Sequence, residues 1–298
     1  MIFSLRIFVV VISRIARHGL TLGLLLATAA CALSGPAQHV VCASATSGCD
    51  YIGSRALQDA IDAAADGDTI LVRAGRYVAE GTRDLTFDEL TIRGYLLIDG
   101  KDLNIVGDGE VVLVGGSSPS SAIVVRGGRV KIQGLTINNF VAESPEDKIY
   151  DGHGVFAIDS EVQIFDVRIS KIEKMSISVF GRSDVEVRDC EIRDGHVGVW
   201  SEDTARLSIV RCDFMNNDSA GIAAYVSSVV TVVDSVFEEN LDDGVYAANQ
   251  ATITVSGSTF TRNRPYATRA VDSASIFVAT SKFHENEQDH FTPDSEQP

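Results

Sequence analysis

The sequence predicts an all-β solenoid, a stack of similar coils made of short strands, and two observations support that prediction. An apolar pair spaced by one residue, followed five residues later by a third apolar residue, recurs seven times at steps of 22 or 23 residues and one of 32. Strand side chains alternate with a period of two, so the pair lies on one face of a strand. A small residue and an asparagine recur in register with this pattern. Units this short bury their apolar faces only against neighbouring copies.

Three columns of residues describe the predicted coil. The apolar copies are Val130/Ile132/Ile137, Val162/Ile164/Ile169, Val185/Val187/Ile192, Leu207/Ile209/Phe214, Val230/Val232/Phe237, Ile253/Val255/Phe260 and Ile276/Val278/Phe283. The small residues are Ser176, Gly198, Gly221, Gly244 and Ala267, and the asparagines are Asn217, Asn240, Asn263 and Asn286. Asparagine tolerates left-handed backbone, so we expect it to form the corner of each coil.

A short helix is predicted at about residues 55–65, at the N-terminal end of the stack. Leu57, Ile61 and Ala64 lie on one helical stripe, and Ser54 precedes them as the expected N-cap. Such a helix would cover the open end of the stack, as a terminal unit of a repeat protein must.

This entry helix, the Gly-x-Tyr turn at 75–77 and the repeats resemble the right-handed parallel β-helix repeat proteins of the pectate-lyase-like superfamily, of the exported bacterial type. The resemblance implies a single-stranded right-handed parallel β-helix with coils of about 22–23 residues over 53–286. A short N-terminal segment at 31–52 and a polar tail at 287–298 would flank it. In that superfamily, polysaccharides lie along an outward sheet face.

The first thirty residues predict a signal peptide and therefore an extracytoplasmic protein. Arg6, Arg14 and Arg17 precede the apolar run 20–30, which ends in small residues. The apolar runs are too short to span a bilayer, so no transmembrane segment is expected in the mature chain. Cys31 resembles the lipidated cysteine of bacterial lipoproteins, and the sequence leaves ordinary cleavage and a lipid anchor at Cys31 both open.

The composition is strongly acidic, with 41 Asp and Glu against 25 Lys and Arg and a formal net charge of −16. That charge excludes nucleic acid as a partner, because phosphate backbones bind to basic surfaces. It also disfavours a polyanionic glycan unless cations bridge the two. We therefore expect no required cofactor, with Ca²⁺ needed only for a polyuronate ligand.

The cysteines fit an oxidising compartment. Cys42 and Cys49 are close in sequence and predict a disulfide loop. Cys190 and Cys212 share one column, where in-register neighbours point the same way, so we expect free thiols there. No His or carboxylate accompanies that column, and no metal site is predicted. We expect a monomer.

An outward-facing aromatic column predicts ligand binding. Phe156, Trp200 and Tyr246 follow the small-residue column by two positions and alternate with smaller residues on the coils between. Two rungs of a sheet separate them by about 10 Å. Exposed aromatic faces are suited to stacking on sugar rings.

An insertion of nine residues enlarges one coil and predicts a loop at 141–154 beside Phe156. Tyr150–His153 is similar to the Tyr-x-Asp-Pro-His stretch of alginate epimerases, and Gly152–Gly154 matches the Gly-His-Gly of polygalacturonases. The resemblance makes Tyr150, Asp151 and His153 candidate acid and base groups. The secondary candidates are His196, Glu202, Asp203, Asp242 and Asp243.

Two hypotheses of function follow. In the first, an exported β-helix binds a polysaccharide or cell-surface glycan on its outward aromatic face without catalysis. In the second, the protein is a polysaccharide lyase, epimerase or glycoside hydrolase with its site at the loop 141–154. Many functions share one scaffold, so the fold does not choose between them.

Overall fold

The computed structural model describes residues 35–87, 90–143 and 149–291, which form a parallel β-helix. The predicted signal peptide, Cys31 and the end of the predicted tail lie outside these residues. The elements are helix α1 (Ala56–Ala63) and strands β1 (Gln38–Cys42), β2 (Tyr51–Ile52), β3 (Thr69–Val78), β4 (Arg83–Phe87), β5 (Leu90–Asp99), β6 (Leu103–Val114), β7 (Ser121–Arg126), β8 (Arg129–Gln133), β9 (Thr136–Asn138), β10 (Ile149–Tyr150), β11 (Val155–Ile158), β12 (Glu161–Phe165), β13 (Arg168–Ser170), β14 (Met175–Phe180), β15 (Asp184–Arg188), β16 (Glu191–Arg193), β17 (Val197–Ser201), β18 (Arg206–Val210), β19 (Asp213–Met215), β20 (Ile222–Ala224), β21 (Val229–Val233), β22 (Val236–Glu238), β23 (Asp243–Ala247), β24 (Thr252–Ser256), β25 (Thr259–Thr261), β26 (Tyr266–Ala270), β27 (Ser275–Ala279), β28 (Lys282–His284) and β29 (Gln288–Phe291).

Each regular coil contributes three strands. The strand that carries the apolar pair and the short strand after it belong to one sheet, and the third strand belongs to a second sheet, here called sheet B. Equivalent strands pair in parallel from coil to coil, so that Ile209 pairs with Val232 and Val232 with Val255. The predicted stacking of residues one period apart is confirmed.

The interior is a set of columns of like side chains. Phe214, Phe237, Phe260 and Phe283 form a parallel stack with ring centroids 5.0, 4.7 and 5.1 Å apart. The small-residue column makes room for this stack, because a Cβ on Gly221 would lie 2.9 Å from Cδ1 of Phe237 and 2.7 Å from the Gly244 carbonyl oxygen.

The asparagine column is a buried ladder. Asn217 Nδ2 donates to Asn240 Oδ1 at 2.9 Å, and Asn240 Nδ2 donates to Asn263 Oδ1 at 2.9 Å and to the Phe214 carbonyl at 3.1 Å. The positive φ angle at this corner belongs to the preceding residue, as at Asn216 with φ 53°. The expectation of left-handed asparagines was therefore wrong, because the corner needs their buried side chains to bond neighbouring coils.

Both ends extend beyond the predicted boundaries. Strands β1 and β2 pair with each other and β1 pairs with β3, so residues 38–52 of the predicted N-terminal segment contribute to the first coil. Strand β29 pairs with β26, so residues 288–291 of the predicted tail contribute to the last coil. Helix α1 has no side-chain N-cap bond, because the hydroxyl of Ser54 accepts from the N–H of Val78 at 3.0 Å instead.

The cysteine predictions are confirmed. Cys42 and Cys49 form a disulfide, and Cys190 and Cys212 are free and buried. Among the described residues, no helix combines the length and apolar character that crossing a bilayer requires.

Loss of one rung of the asparagine ladder will destabilise the protein. Asn240→Ala removes the acceptor of the Asn217 side-chain amide and of the Asn217 N–H, and one donor to the Phe214 carbonyl, all in the interior. Each buried unsatisfied group costs about 1–3 kcal/mol, so we expect the free energy of unfolding to fall by roughly 3 kcal/mol or more in urea titrations. Asn249→Ala, in an exposed column with similar contacts to the next coil, should cost about 1 kcal/mol or less. If the two variants lost the same free energy of unfolding, the buried asparagine ladder would not stabilise the protein more than the exposed column does.

A strained corner offers a stabilising substitution. Val226 adopts φ 61° in a column where Asp203, Asn249 and Asp272 also have positive φ, and β-branched residues are rare there. Left-handed backbone costs an ordinary L-residue about 1–2 kcal/mol, less for asparagine, so Val226→Asn should raise the free energy of unfolding by about 1 kcal/mol. Its side chain would also reach the preceding coil, as Asn249 Oδ1 reaches the N–H of Val226 at 3.2 Å. Val229→Asn, also exposed but in strand β21, is the matched control and should not stabilise.

Candidate functional site

The outward face of sheet B is covered at its N-terminal half. Strand β4 pairs antiparallel with β5, and β10 pairs with β5 at the same sheet. Beneath them lies an apolar cluster separate from the interior. It contains Leu85, Ile92, Val124, Phe156 and Ile158, with Phe87, Leu97, Tyr150 and Phe180 packed against it.

Phe156 lies inside this cluster and is only 2 % exposed. Its ring centroid is 4.8 Å from that of His153, 5.1 Å from Phe180 and 6.0 Å from Tyr150. Phe156 does point away from the interior, as predicted, but the expectation that it is exposed to a ligand was wrong. The reason is that Tyr150 and His153, at the end of the inserted loop, fold back over it.

The predicted acid and base groups of the loop are also covered. His153 is fully buried with Nδ1 2.6 Å from Oγ of Ser178, and burial followed by the charge of Lys174 lowers its pKa to about 3. The carboxylate of Asp151 is buried, accepts from the N–H of Glu143 at 3.2 Å and pairs with Lys174 Nζ at 3.4 Å. The expectation of accessible catalytic groups was wrong for His153 and Asp151, and Tyr150 is half-buried against Phe156.

The C-terminal half of the same face carries a chain of aromatic contacts. We call Trp200, Tyr225, Tyr246, Arg269, Tyr266 and Phe291 the aromatic strip. Ring centroids are 4.1 Å apart between Trp200 and Tyr225, and 5.6 Å apart between Tyr225 and Tyr246. The Arg269 guanidinium lies 4.8 Å from the Tyr246 ring centroid and 5.7 Å from that of Tyr266. Tyr266 then contacts Phe291 at 5.1 Å.

Tyr225 is the member of the strip that sequence reasoning missed. In the outward column Ala223 stands between Trp200 and Tyr246, and its small side chain leaves a gap on the sheet. Tyr225, two residues later at the corner, fills that gap and packs between the rings of Trp200 and Tyr246. An alanine between two large aromatics was the available signal. The strip is therefore continuous instead of a set of rings about 10 Å apart.

Carboxylates lie beside the strip, and three of them accept hydrogen bonds from its members. Arg269 donates from Nε to Asp243 Oδ2 at 2.8 Å and from Nη2 to Asp242 Oδ1 at 3.2 Å. Trp200 Nε1 donates to Glu202 Oε2 at 2.9 Å. Thus Glu202, Asp242 and Asp243, three of the secondary candidates, lie together at the strip.

Burial alters the titration of this face. Burial raises the pKa of Asp243 to about 7 even though the Arg269 guanidinium opposes that shift, and the charge of Asp242 adds to it. Oδ1 of Asp243 is buried and has no hydrogen-bond partner among the described residues. Burial also raises the pKa of Tyr225 to about 12, with contributions from Tyr246, Asp242 and Glu202.

The other two secondary candidates lie at corners. His196 is exposed, and its carbonyl accepts from the N–H of Ser219 at 2.9 Å. Asp203 is an exposed corner residue with φ 63°, and its Oδ2 accepts from the N–H of Gly181 at 3.0 Å. Neither side chain belongs to the ring contacts that make up the strip. In the part of the chain that the structure describes, His, Cys, Asp and Glu side chains form no group of three or more that could hold a metal ion.

A second concave surface lies on the other sheet. This groove, of about 470 Å³, is bordered by Asp66, Asp102, Arg129, Lys131 and Glu161. Within the groove, Arg129 forms an ion pair with Asp102 at 2.7 Å, so its charge is already partly compensated. None of the described residues that line the groove is aromatic, and we therefore consider the aromatic strip the stronger candidate.

The comparisons with known proteins agree with this architecture. A family model described as "Right handed beta helix region" matches residues 121–286. Among solved structures, pectate lyase Pel9A is similar with a TM-score of 0.56 and 13% identity, over 86% of this chain and 80% of that one.

Two pectin methylesterases are similar as well. The enzyme from carrot gives a TM-score of 0.60 and 13% identity over 87% of this chain and 89% of its own. The enzyme from Aspergillus niger gives a TM-score of 0.60 and 12% identity, over 89% of this chain and 93% of its own. At such identities the likeness shows the fold alone. No curated protein sequence matches the chain.

Asp243 should make stability depend on pH. Its pKa is about 7 when folded and near 3.8 when unfolded, so between these values the folded state binds the extra proton. The stabilising contribution is complete below about pH 4 and is lost as the pH rises through 7. The free energy of unfolding of the wild type should therefore fall, relative to Asp243→Asn, by up to ~1.4 kcal/mol per pH unit across this range.

Urea titrations at a series of pH values measure this difference. Asp242→Asn is the matched control, since it removes a carboxyl from the neighbouring position and retains Asp243. A difference between wild type and Asp243→Asn that stays constant from pH 4 to 7 would show that the buried carboxyl titrates normally.

Proposed function

The chain belongs to the right-handed β-helix family, and from that premise we propose that it is an exported protein that binds polysaccharide along the aromatic strip. The continuous series of contacts from Trp200 to Phe291 carries this proposal. Apolar ring surface interleaved with charged groups suits sugars, which present apolar C–H faces together with hydroxyl groups.

The dimensions of the strip support an extended ligand. Its members lie on five successive coils: on strands β17, β23, β26 and β29 and, for Tyr225, at the corner after β20. Five rungs at about 4.8 Å spacing make a track roughly 19 Å long. A chain molecule could therefore contact several rings at once, and small gains at each would add up.

The solved structures support the class of ligand. The similar proteins are named as a pectate lyase and as pectin methylesterases, and each of those names refers to a polysaccharide. A shared fold does not transfer the activity, because function resides in the site. The proposal concerns binding, since His153 and Asp151, the groups expected to act at the loop, are buried.

Truncating the strip should weaken binding. We expect Trp200→Ala, Tyr225→Ala and Tyr246→Ala each to reduce affinity about tenfold, or ~1.4 kcal/mol, because each removes ring surface from the track. The measurement is retention on a panel of immobilised neutral and acidic polysaccharides, followed by calorimetry with oligomers of whichever is retained. Phe165→Ala, which removes a half-buried ring from the other sheet, should leave affinity unchanged.

Circular dichroism and thermal unfolding would confirm that each variant remains folded. If no polysaccharide of the panel retains the wild-type protein, the proposed function is wrong. If the three variants bind like the wild type, binding occurs elsewhere on the molecule.

A further inference from the structure

The charges around the aromatic strip are predominantly negative. The strip contains one guanidinium, that of Arg269, and this group already pairs with Asp242 at 3.2 Å and with Asp243 at 2.7 Å. Two carboxylates already offset the positive charge of this guanidinium, so an anionic ligand gains little net attraction from it.

Further carboxylates face the same tyrosines. Burial raises the pKa of Tyr225, and the charges of Asp242 and Glu202 add to that shift. Burial also raises the pKa of Tyr246; the Arg269 guanidinium opposes this shift, and the charges of Asp272, Asp243 and Asp242 add to it. Groups that influence a phenol in this way lie within a short electrostatic range of it. An anion laid along the strip would therefore meet like charge from Glu202 near Trp200 and from Asp242 and Asp272 near Tyr246.

Hydrogen-bond chemistry points in the same direction. The carboxylates beside the strip, those of Glu202 and Asp242, are acceptors, and the Asp242 side chain is half-exposed. Sugar hydroxyls can donate to such groups, whereas an ionised uronate carboxylate only accepts. The formal net charge of −16 adds a long-range repulsion of the same sign.

We propose that the aromatic strip selects uncharged polysaccharides and rejects polyuronates. This inference rests on the proposed binding function and adds the class of ligand. It distinguishes this chain's surface from what the fold alone suggests, because the ring contacts provide the affinity and the surrounding carboxylates provide the selectivity.

The test compares matched pairs of chains that carry either a carboxylate or an uncharged group at C6 of each sugar. The probes are oligogalacturonate and its fully methyl-esterified form, a β-1,4-glucan oligomer and its 6-carboxylated form, and mannan and mannuronan oligomers. A chelator is present throughout, so that no divalent cation bridges the carboxylates. Because Trp200 is the only Trp in the chain, its fluorescence reports on the strip directly, with calorimetry as the second readout.

We expect the neutral member of at least one pair to bind about tenfold or more tightly than its acid at low salt, the ratio falling as salt screens the charges. Tighter or equal binding of the acid would overturn the inference and leave the binding function intact. Absence of binding to all six probes would overturn the binding function itself, and the inference with it.

A pair of charge variants tests the assigned cause. Glu202→Gln combined with Asp242→Asn removes two negative charges from the strip and should reduce the preference for the neutral chain several-fold, mainly by strengthening binding of the acid. Glu161→Gln combined with Asp184→Asn makes the same change in net charge at exposed positions of the other sheet. An equal effect of the two double variants would contradict a local origin of the selectivity.

Discussion

The parallel register between successive coils is the constraint on which the rest of the structure depends. Because equivalent strands pair residue for residue, each side chain contacts the side chain one period away. Every interior column must therefore be compatible with itself. Phenylalanine stacks on phenylalanine, and asparagine both donates to and accepts from asparagine. The glycine column exists because the phenylalanine stack occupies the space that its Cβ atoms would need.

The same register acts differently on the outer face of sheet B, where columns need not be uniform. Trp200, Ala223, Tyr246 and Arg269 occupy one outward column, and the small alanine leaves space for a tyrosine from the adjacent corner. Mixed columns of this kind produce a surface with shape and charge, which is what recognition of a ligand requires. The interior columns therefore repeat one residue type, whereas the outer face carries the residues that are specific to this chain.

Electrostatics at the strip follow from the short distance between coils. Arg269 lies one coil after Asp242 and Asp243, and its guanidinium pairs with both of their carboxylates. The Asp243 side chain is buried, and the desolvation of its carboxylate raises its pKa by more than the ion pair with Arg269 lowers it. At the other end of the face, burial keeps His153 neutral and hydrogen-bonded to Ser178. Among the described residues, strands β4 and β10 together with Tyr150 and His153 cover one half of the outer face of sheet B, and the aromatic strip lies on the other half.

The sequence by itself determined the solenoid, its period, the interior columns and the disulfide, because these features depend on spacings within one strand or between adjacent coils. Once the period is known, residues one period apart in the sequence can be assigned as neighbours in space. It also located Trp200 and Tyr246 on an outward strand. Only the tertiary structure decided that Phe156 and His153 are covered and that Tyr225 completes the strip. The paths of a loop and of a corner side chain depend on the three-dimensional space left by neighbouring coils, and no periodic pattern encodes that space.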